Sequence, residues 1–250
     1  MKREYGLFLF VLLSNIWIWK LAFISYFSAF VAVCVTYLLW RRVQQKKGSI
    51  ILLVAASVVL SFVYLNTTTV KSLTLLDNDE QRIKSMRLKE YPPVRVNLLS
   101  KTFWVPIGHW FEGRSETIAF FRMQKNFFEN IDPNLYFFSN HPRERVGVKE
   151  IEKFPYIFLP FFLTGIYILT KKVAVNLYAL FTLLIITILG SVNPAGPFII
   201  FPLIVCYIAC GLGYFLKFID KLPLKKRKII WVVNTFVFVL AFYQHIANAI

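Results

Sequence analysis

Three basic side chains within five residues, His141, Arg143 and Arg145, are suited to hold a phosphate. Each guanidinium offers paired donors that match two phosphate oxygens. The same residues also fit a solvated turn paired with Glu144 and Glu150, or contact with lipid headgroups. Glu129 and Asp132 are types that can act as acid or base. They equally suit a helix end and a turn, with Asp132 standing before Pro133. Trp104, His109 and Trp110 can stack on a sugar or anchor at a membrane interface. Cys206 and Cys210 are four apart and share a helix face, but no His or carboxylate lies near them. They read as small packing residues, and no metal site is expected. The chain has no glycine-rich phosphate loop, no Gly-x-Ser-x-Gly and no His-Glu-x-x-His, so these motifs assign no catalytic residue.

The elements that carry these residues follow from hydropathy. Hydrophobic residues make up 57% of the chain and charged ones 17%. A soluble domain sits nearer 45–50% and about 25%, so the excess apolar matter needs another solvent. It is concentrated in residues 21–40, 50–65, 154–169, 173–190, 198–216 and 229–243, which hold no Asp, Glu, Lys or Arg. Blocks of this length approach the roughly 20 residues that cross a bilayer core. A further apolar run from Tyr5 to Ile18 has the basic start of a signal peptide. It ends in Trp17, Trp19 and Lys20, not in small residues, and is expected to stay as a helix over 5–19. A tight hairpin near Trp19 and Lys20 would then join it to the next helix. The expected fold is an all-α polytopic membrane protein of about seven transmembrane helices with a mainly helical extracytoplasmic loop. Its parts are helices 1–3 in residues 1–65, the loop in 66–153, and helices 4–7 in 154–250. Asn176, Asn193 and Asn234 fall in or near the last helices, where polar groups are expected to bond between helices.

Charge gives the orientation. The net charge is +16, yet 14 of the 29 Lys and Arg and 11 of the 13 acids lie in residues 71–153. That stretch is nearly balanced. The remaining positive charge clusters beside apolar blocks, at Lys2/Arg3, Arg41/Arg42/Lys46/Lys47, Lys171/Lys172 and across 217–228. This is the pattern of cytoplasmic loops, with the N-terminus inside and the large loop and C-terminus outside. The implied partner of the charge is the bilayer, and no nucleic acid is expected.

The loop carries aromatic residues throughout, from Phe103 to Phe138, which marks it as folded. Residues 77–80 can cap a helix over 80–89 that ends before Pro92-Pro93. A second helix is expected over 115–130, with Ser115 as N-cap and Ile118, Phe121, Lys125 and Phe128 on one side. That side is expected to rest on the membrane or on the helix ends. Asp132-Pro133-Asn134 reads as a turn, as do residues 140–143.

Within the loop and the helix after it, Asn126-Phe-Phe-Glu-Asn-Ile-Asp-Pro-Asn-Leu-Tyr-Phe-Phe138, then His141-Pro-Arg143, then Phe154-Pro through Gly165-Ile-Tyr167, resembles a known family. It is similar to the membrane glycosyltransferases of the GT-C fold, the class that includes dolichyl-phosphate-mannose and polyprenyl-phosphate-sugar-dependent protein mannosyltransferases. Ser25-Tyr26-Phe27-Ser28-Ala29 before Arg41-Arg42 is similar to that family's hairpin, and residues 189–202 to its later helix–turn–Pro segment. The resemblance implies a polyprenyl-phosphate sugar donor, with His141, Arg143 and Arg145 at its phosphate. Members carry an acidic base in the first outer loop, and a hydroxyl acceptor needs such a proton acceptor. Residues 17–21 hold no Asp or Glu, and residues 191–197 lack the Arg or His often found there. The resemblance therefore implies the C-terminal half of such an enzyme, truncated or split, with a membrane partner supplying the missing helices. The competing expectation is a non-enzymatic subunit or scaffold whose outer loop docks other proteins.

Overall fold

A computed structural model describes the chain apart from residues 1, 45–49, 69–71, 77, 91–92, 99–100, 108–113, 139–151, 190–194 and 248–250. Helix accounts for 82% of the described residues, so the helical class follows directly. Among the described residues, four helices are long and apolar enough to cross a membrane, and up to six spans result if each of two bent pairs counts as one. The single helices are α3 (Tyr26–Gln44), α4 (Ile50–Thr67), the 3-10 turn Phe198–Ile200 with α10 (Phe201–Asp220), and α11 (Leu224–Ala247). The bent pairs are α1 (Lys2–Leu13) with α2 (Ile16–Ile24), at 58°, and the 3-10 turn Tyr156–Phe158 with α8 (Leu159–Leu169) and α9 (Val173–Leu189), at 117°.

The outside of this bundle is as apolar as its inside. Ile51, Val54, Val58 and Phe62 of α4, and Val232, Val233, Phe236 and Val239 of α11, are exposed. Apolar surface of that extent is not stable against water, and it is what a bilayer covers. The architecture is compatible with an integral membrane protein.

The first two helices differ from the expected hairpin at Trp19 and Lys20. Both residues lie inside α2, and the chain breaks at Asn15 and at Ser25 instead. The cause is side-chain capping. The buried Asn15 amide donates to the Val11 and Leu12 carbonyls at 3.0 and 2.7 Å, and its oxygen accepts the Ile18 N–H at 2.9 Å. One side chain thus closes the end of α1 and the start of α2. Ser25 works in the same way. Its backbone is extended, its N–H bonds back to Leu21, and its Oγ accepts the Ser28 N–H at the start of α3.

α10 is the axis of the core. Of its 18-residue window, 72% is buried, against 11% for α11. It packs on α1, α3 and most tightly on α8. Gly165 of α8 faces the Tyr207 main chain, and Gly211 of α10 faces the Phe161 main chain. A β-carbon at either glycine would overlap the opposing carbonyl, so small residues here let the two backbones touch. α11 meets the bundle through an aromatic cluster of Phe158, Phe161, Phe238 and Phe242. At the helix ends, Arg3 pairs with Asp220, and Lys217 with Glu4 at 2.8 Å, joining the first turn of α1 to the last of α10.

The segment between α4 and α8 holds α5 (Asn78–Glu90), α6 (Ser115–Ile131) and a short α7 (Asn134–Phe137). It is not wholly helical: β1 (Val94–Leu98) and β2 (Lys101–Val105) form an antiparallel hairpin in which Val94 faces Val105 and Leu98 faces Lys101. Alternation of Val94, Val96 and Leu98 with Arg95 and Asn97 suits a strand, not a helix. Arg114, not Ser115, occupies the N-cap of α6, and no side chain caps it. α6 rests on α9, and its Asn126 amide donates to the Thr187 carbonyl at 3.0 Å. Phe121 and Phe128, on the side expected to rest on the membrane or on the helix ends, are exposed. Arg122 ties α6 to α5 by holding both Glu80 and the Ser72 carbonyl.

Candidate functional site at the junction of loop and bundle

The strongest concentration of buried polar groups lies where the loop re-enters the bundle. Lys153 is 2% exposed and Glu152 6%, side by side at the start of the α8 segment. Burying an ionised group needs partners of matching chemistry. The Lys153 ammonium donates to the Leu135 carbonyl at 2.8 Å and sits 5.8 and 5.9 Å from the Trp17 and Tyr136 ring centres. The two rings supply the negative faces that a desolvated cation prefers. Trp17 is fixed in turn, since its indole N–H donates to the Ala195 carbonyl at 2.5 Å. Gly196, next in the chain, has φ 73°, and a β-carbon there would press on Lys153 Cε at 3.0 Å. Both the backbone angle and the close approach select glycine.

Glu152 Oε1 accepts the Tyr156 N–H at 3.1 Å, capping the 3-10 turn that opens α8. The same oxygen lies 3.1 Å from His245 Nδ1 of α11. The pair is close enough for an ion pair when the imidazole is protonated, but it is not aligned as a hydrogen bond. His245 is 1% exposed, and neither ring nitrogen has a hydrogen-bond partner among the described residues.

A ladder of hydrogen bonds carries this junction outward. The Tyr136 carbonyl accepts the N–H groups of Lys153 and Phe154 at 3.0 and 2.9 Å. The Tyr136 hydroxyl donates to the Asn130 carbonyl at 2.6 Å, and the Asn130 amide to the Asn126 carbonyl at 2.6 Å. Asn126 then reaches Thr187 at the end of α9. The described chain on either side of residues 139–151 is joined by these bonds from Lys153 and Phe154 to Tyr136.

The residues singled out from the sequence divide accordingly. His109, Trp110, His141, Arg143 and Arg145 lie outside the described residues. Trp104 is on β2, 65% exposed and opposite Arg95. Glu129 pairs with Lys125 one turn earlier at 3.8 Å. Asp132 accepts the Asn134 N–H at 2.9 Å, which is the turn chemistry expected before Pro133. The structure brings neither carboxylate into the buried junction. The Asn176 amide of α9 donates to the Thr170 carbonyl at the C-cap of α8, whereas the Asn234 amide donates to Ile230 within α11. Asn193 lies outside the described residues. Sequence reasoning passed over Trp17, Glu152, Lys153 and His245. The available signal was a Glu-Lys pair placed directly against Phe154-Pro155, with no polar spacer to let it reach water.

No family model, curated protein or solved structure matches this chain. The class it belongs to is therefore the one its own architecture defines. Among its described residues it is a helical bundle with four to six helices able to span a membrane, and a loop segment is keyed into it by buried polar groups.

Proposed function

We propose that this chain is a membrane protein of GT-C glycosyltransferase type that binds a polyprenyl-phosphate-linked sugar and is completed by a second membrane protein. In this reading the chain crosses the membrane seven times, with both α8 and α9 as crossings. The N-terminus is cytoplasmic and the loop extracytoplasmic, as the distribution of Lys and Arg favours. His141, Arg143 and Arg145 take the lipid-linked phosphate, and the partner supplies the carboxylate that accepts the acceptor's proton. The observation that carries the reading is the Tyr136 clamp. The segments with the family resemblance, 126–138 and 154–167, meet through Tyr136, Lys153 and Phe154.

The test is binding of a polyprenyl-phosphate sugar to the full chain in detergent, with and without Arg143→Ala and Arg145→Ala. The double variant is expected to bind at least tenfold more weakly. Unchanged binding overturns the phosphate role.

A second reading has its own support. Trp104 and Phe103 on the hairpin, with Phe120, Phe121 and Phe128 on α6, are exposed aromatic residues on the loop segment. Such residues are typical of protein-docking surfaces. Purification in a stable complex with no glycosyltransferase-like partner, together with no lipid-sugar binding, favours a scaffold subunit.

A further inference from the structure

A groove of about 260 Å³ runs between α3, α4 and α9. It begins at Ile50, the first residue of α4, whereas Tyr64 near the other end of α4 meets Phe198 edge to face. Leu53, Val54, Ala174 and Leu177 form its walls. Its two wall hydroxyls have their protons committed within the protein. Ser57 donates to the Leu53 carbonyl at 2.6 Å, and Tyr178 to the Ile199 carbonyl at 3.1 Å. Arg42 stands at the mouth.

We propose that this groove holds one anionic phospholipid, with an acyl chain against the apolar walls and the phosphate at Arg42. Three observations select that occupant. Ile50, Val54 and Leu177 are each more than half exposed, so the groove opens sideways on the apolar outside of the bundle. A ligand arriving by that route is already in the bilayer. The walls ask for a chain, and the mouth asks for an anion. Arg41 adjoins Arg42, and Lys171 and Lys172 directly precede the groove residue Val173. The acids outside residues 71–153, Glu4 and Asp220, pair with Lys217 and Arg3. A guanidinium grips a phosphate through paired donors, and a neighbouring ester headgroup that is net neutral gains less. This site shares no residue with the proposed sugar-lipid site.

The test uses the full chain in detergent and native mass spectrometry. Phosphatidylglycerol and phosphatidylcholine of identical acyl chains are titrated separately. The wild type is expected to retain one phosphatidylglycerol at several-fold lower lipid concentration than phosphatidylcholine. Arg42→Gln is expected to erase that preference. Leu177→Trp, which fills the groove from its exposed side, is expected to weaken binding of both lipids, while Val239→Trp on exposed α11 is not. Equal retention of the two lipids by the wild type overturns the proposal. So does a full preference surviving in Arg42→Gln, or undiminished binding in Leu177→Trp. Displacement of phosphatidylglycerol by an equimolar isoprenyl phosphate also overturns it, by assigning the groove to a carrier lipid.

Discussion

Gly165 of α8 lies directly against the Tyr207 carbonyl of α10, with no room between them for a methyl group. Gly211 stands in the same relation to Phe161, so the two helices exchange glycines across one crossing. Backbone cannot move aside as a side-chain tip can, so the cost of adding an atom falls on the whole helix pair. Gly165→Ala and Gly211→Ala are each expected to destabilise the fold by about 1–3 kcal/mol, as overpacking of a tight interface does. A β-carbon at Gly213, two residues further on, would come no nearer than 4.0 Å to Leu7 Cδ1. Gly213→Ala is expected to be neutral or slightly stabilising, because alanine is the better helix former. Thermal unfolding of the three variants in one detergent checks the ordering.

Asn15 closes two helices at once, so its loss removes a cap and two carbonyl partners together. Asn15→Ala is expected to cost about 1–2 kcal/mol. The break it holds sets the position of Trp17, two residues later. The near-ultraviolet circular dichroism of the variant should therefore lose tryptophan signal before the helical signal falls. A variant with unchanged stability and spectrum would show that packing alone holds the 58° bend.

Tyr136→Phe removes the hydroxyl that reaches the Asn130 carbonyl while keeping the ring over Lys153. The expected cost is about 1 kcal/mol, with the larger effect local. Hydrogen exchange across Ser115–Ile131 should quicken relative to α10. Exchange that does not change would mean that α6 is held by its contact with α9 and not by the ladder.

Much of the bundle was legible in the sequence because burial in lipid and burial in protein both demand apolar side chains. The starts of α4, α9 and the Phe198–Asp220 helix coincide with the starts of charge-free blocks. α6 and the turn at Asp132 were equally readable, from amphipathic spacing and from Pro133. Two kinds of feature were not. Hydropathy averages over a lone Asn15, although that residue sets the first break. Windowed polarity likewise assigns Glu152 and Lys153 to the rim of a water-facing loop. Their burial comes from Trp17, Leu135 and His245, which the fold brings from distant parts of the chain. No local pattern encodes such a meeting. The hairpin β1–β2 was readable in principle, since its first strand alternates Val, Arg, Val, Asn and Leu.

The unequal burial of α10 and α11 has a consequence for how the molecule would meet bilayers of different thickness. A helix pays for hydrophobic mismatch only along the surface it presents to lipid, by tilting or by thinning the bilayer around it. Only 11% of the α11 span and 33% of the α4 span is buried inside the protein, against 72% of the α10 span. A thinner or thicker membrane would therefore tilt the outer helices first. α10, locked to α8 through Gly165 and Gly211, would keep its angle. His245, at the far end of α11, is the point at which such a tilt would reach the buried junction.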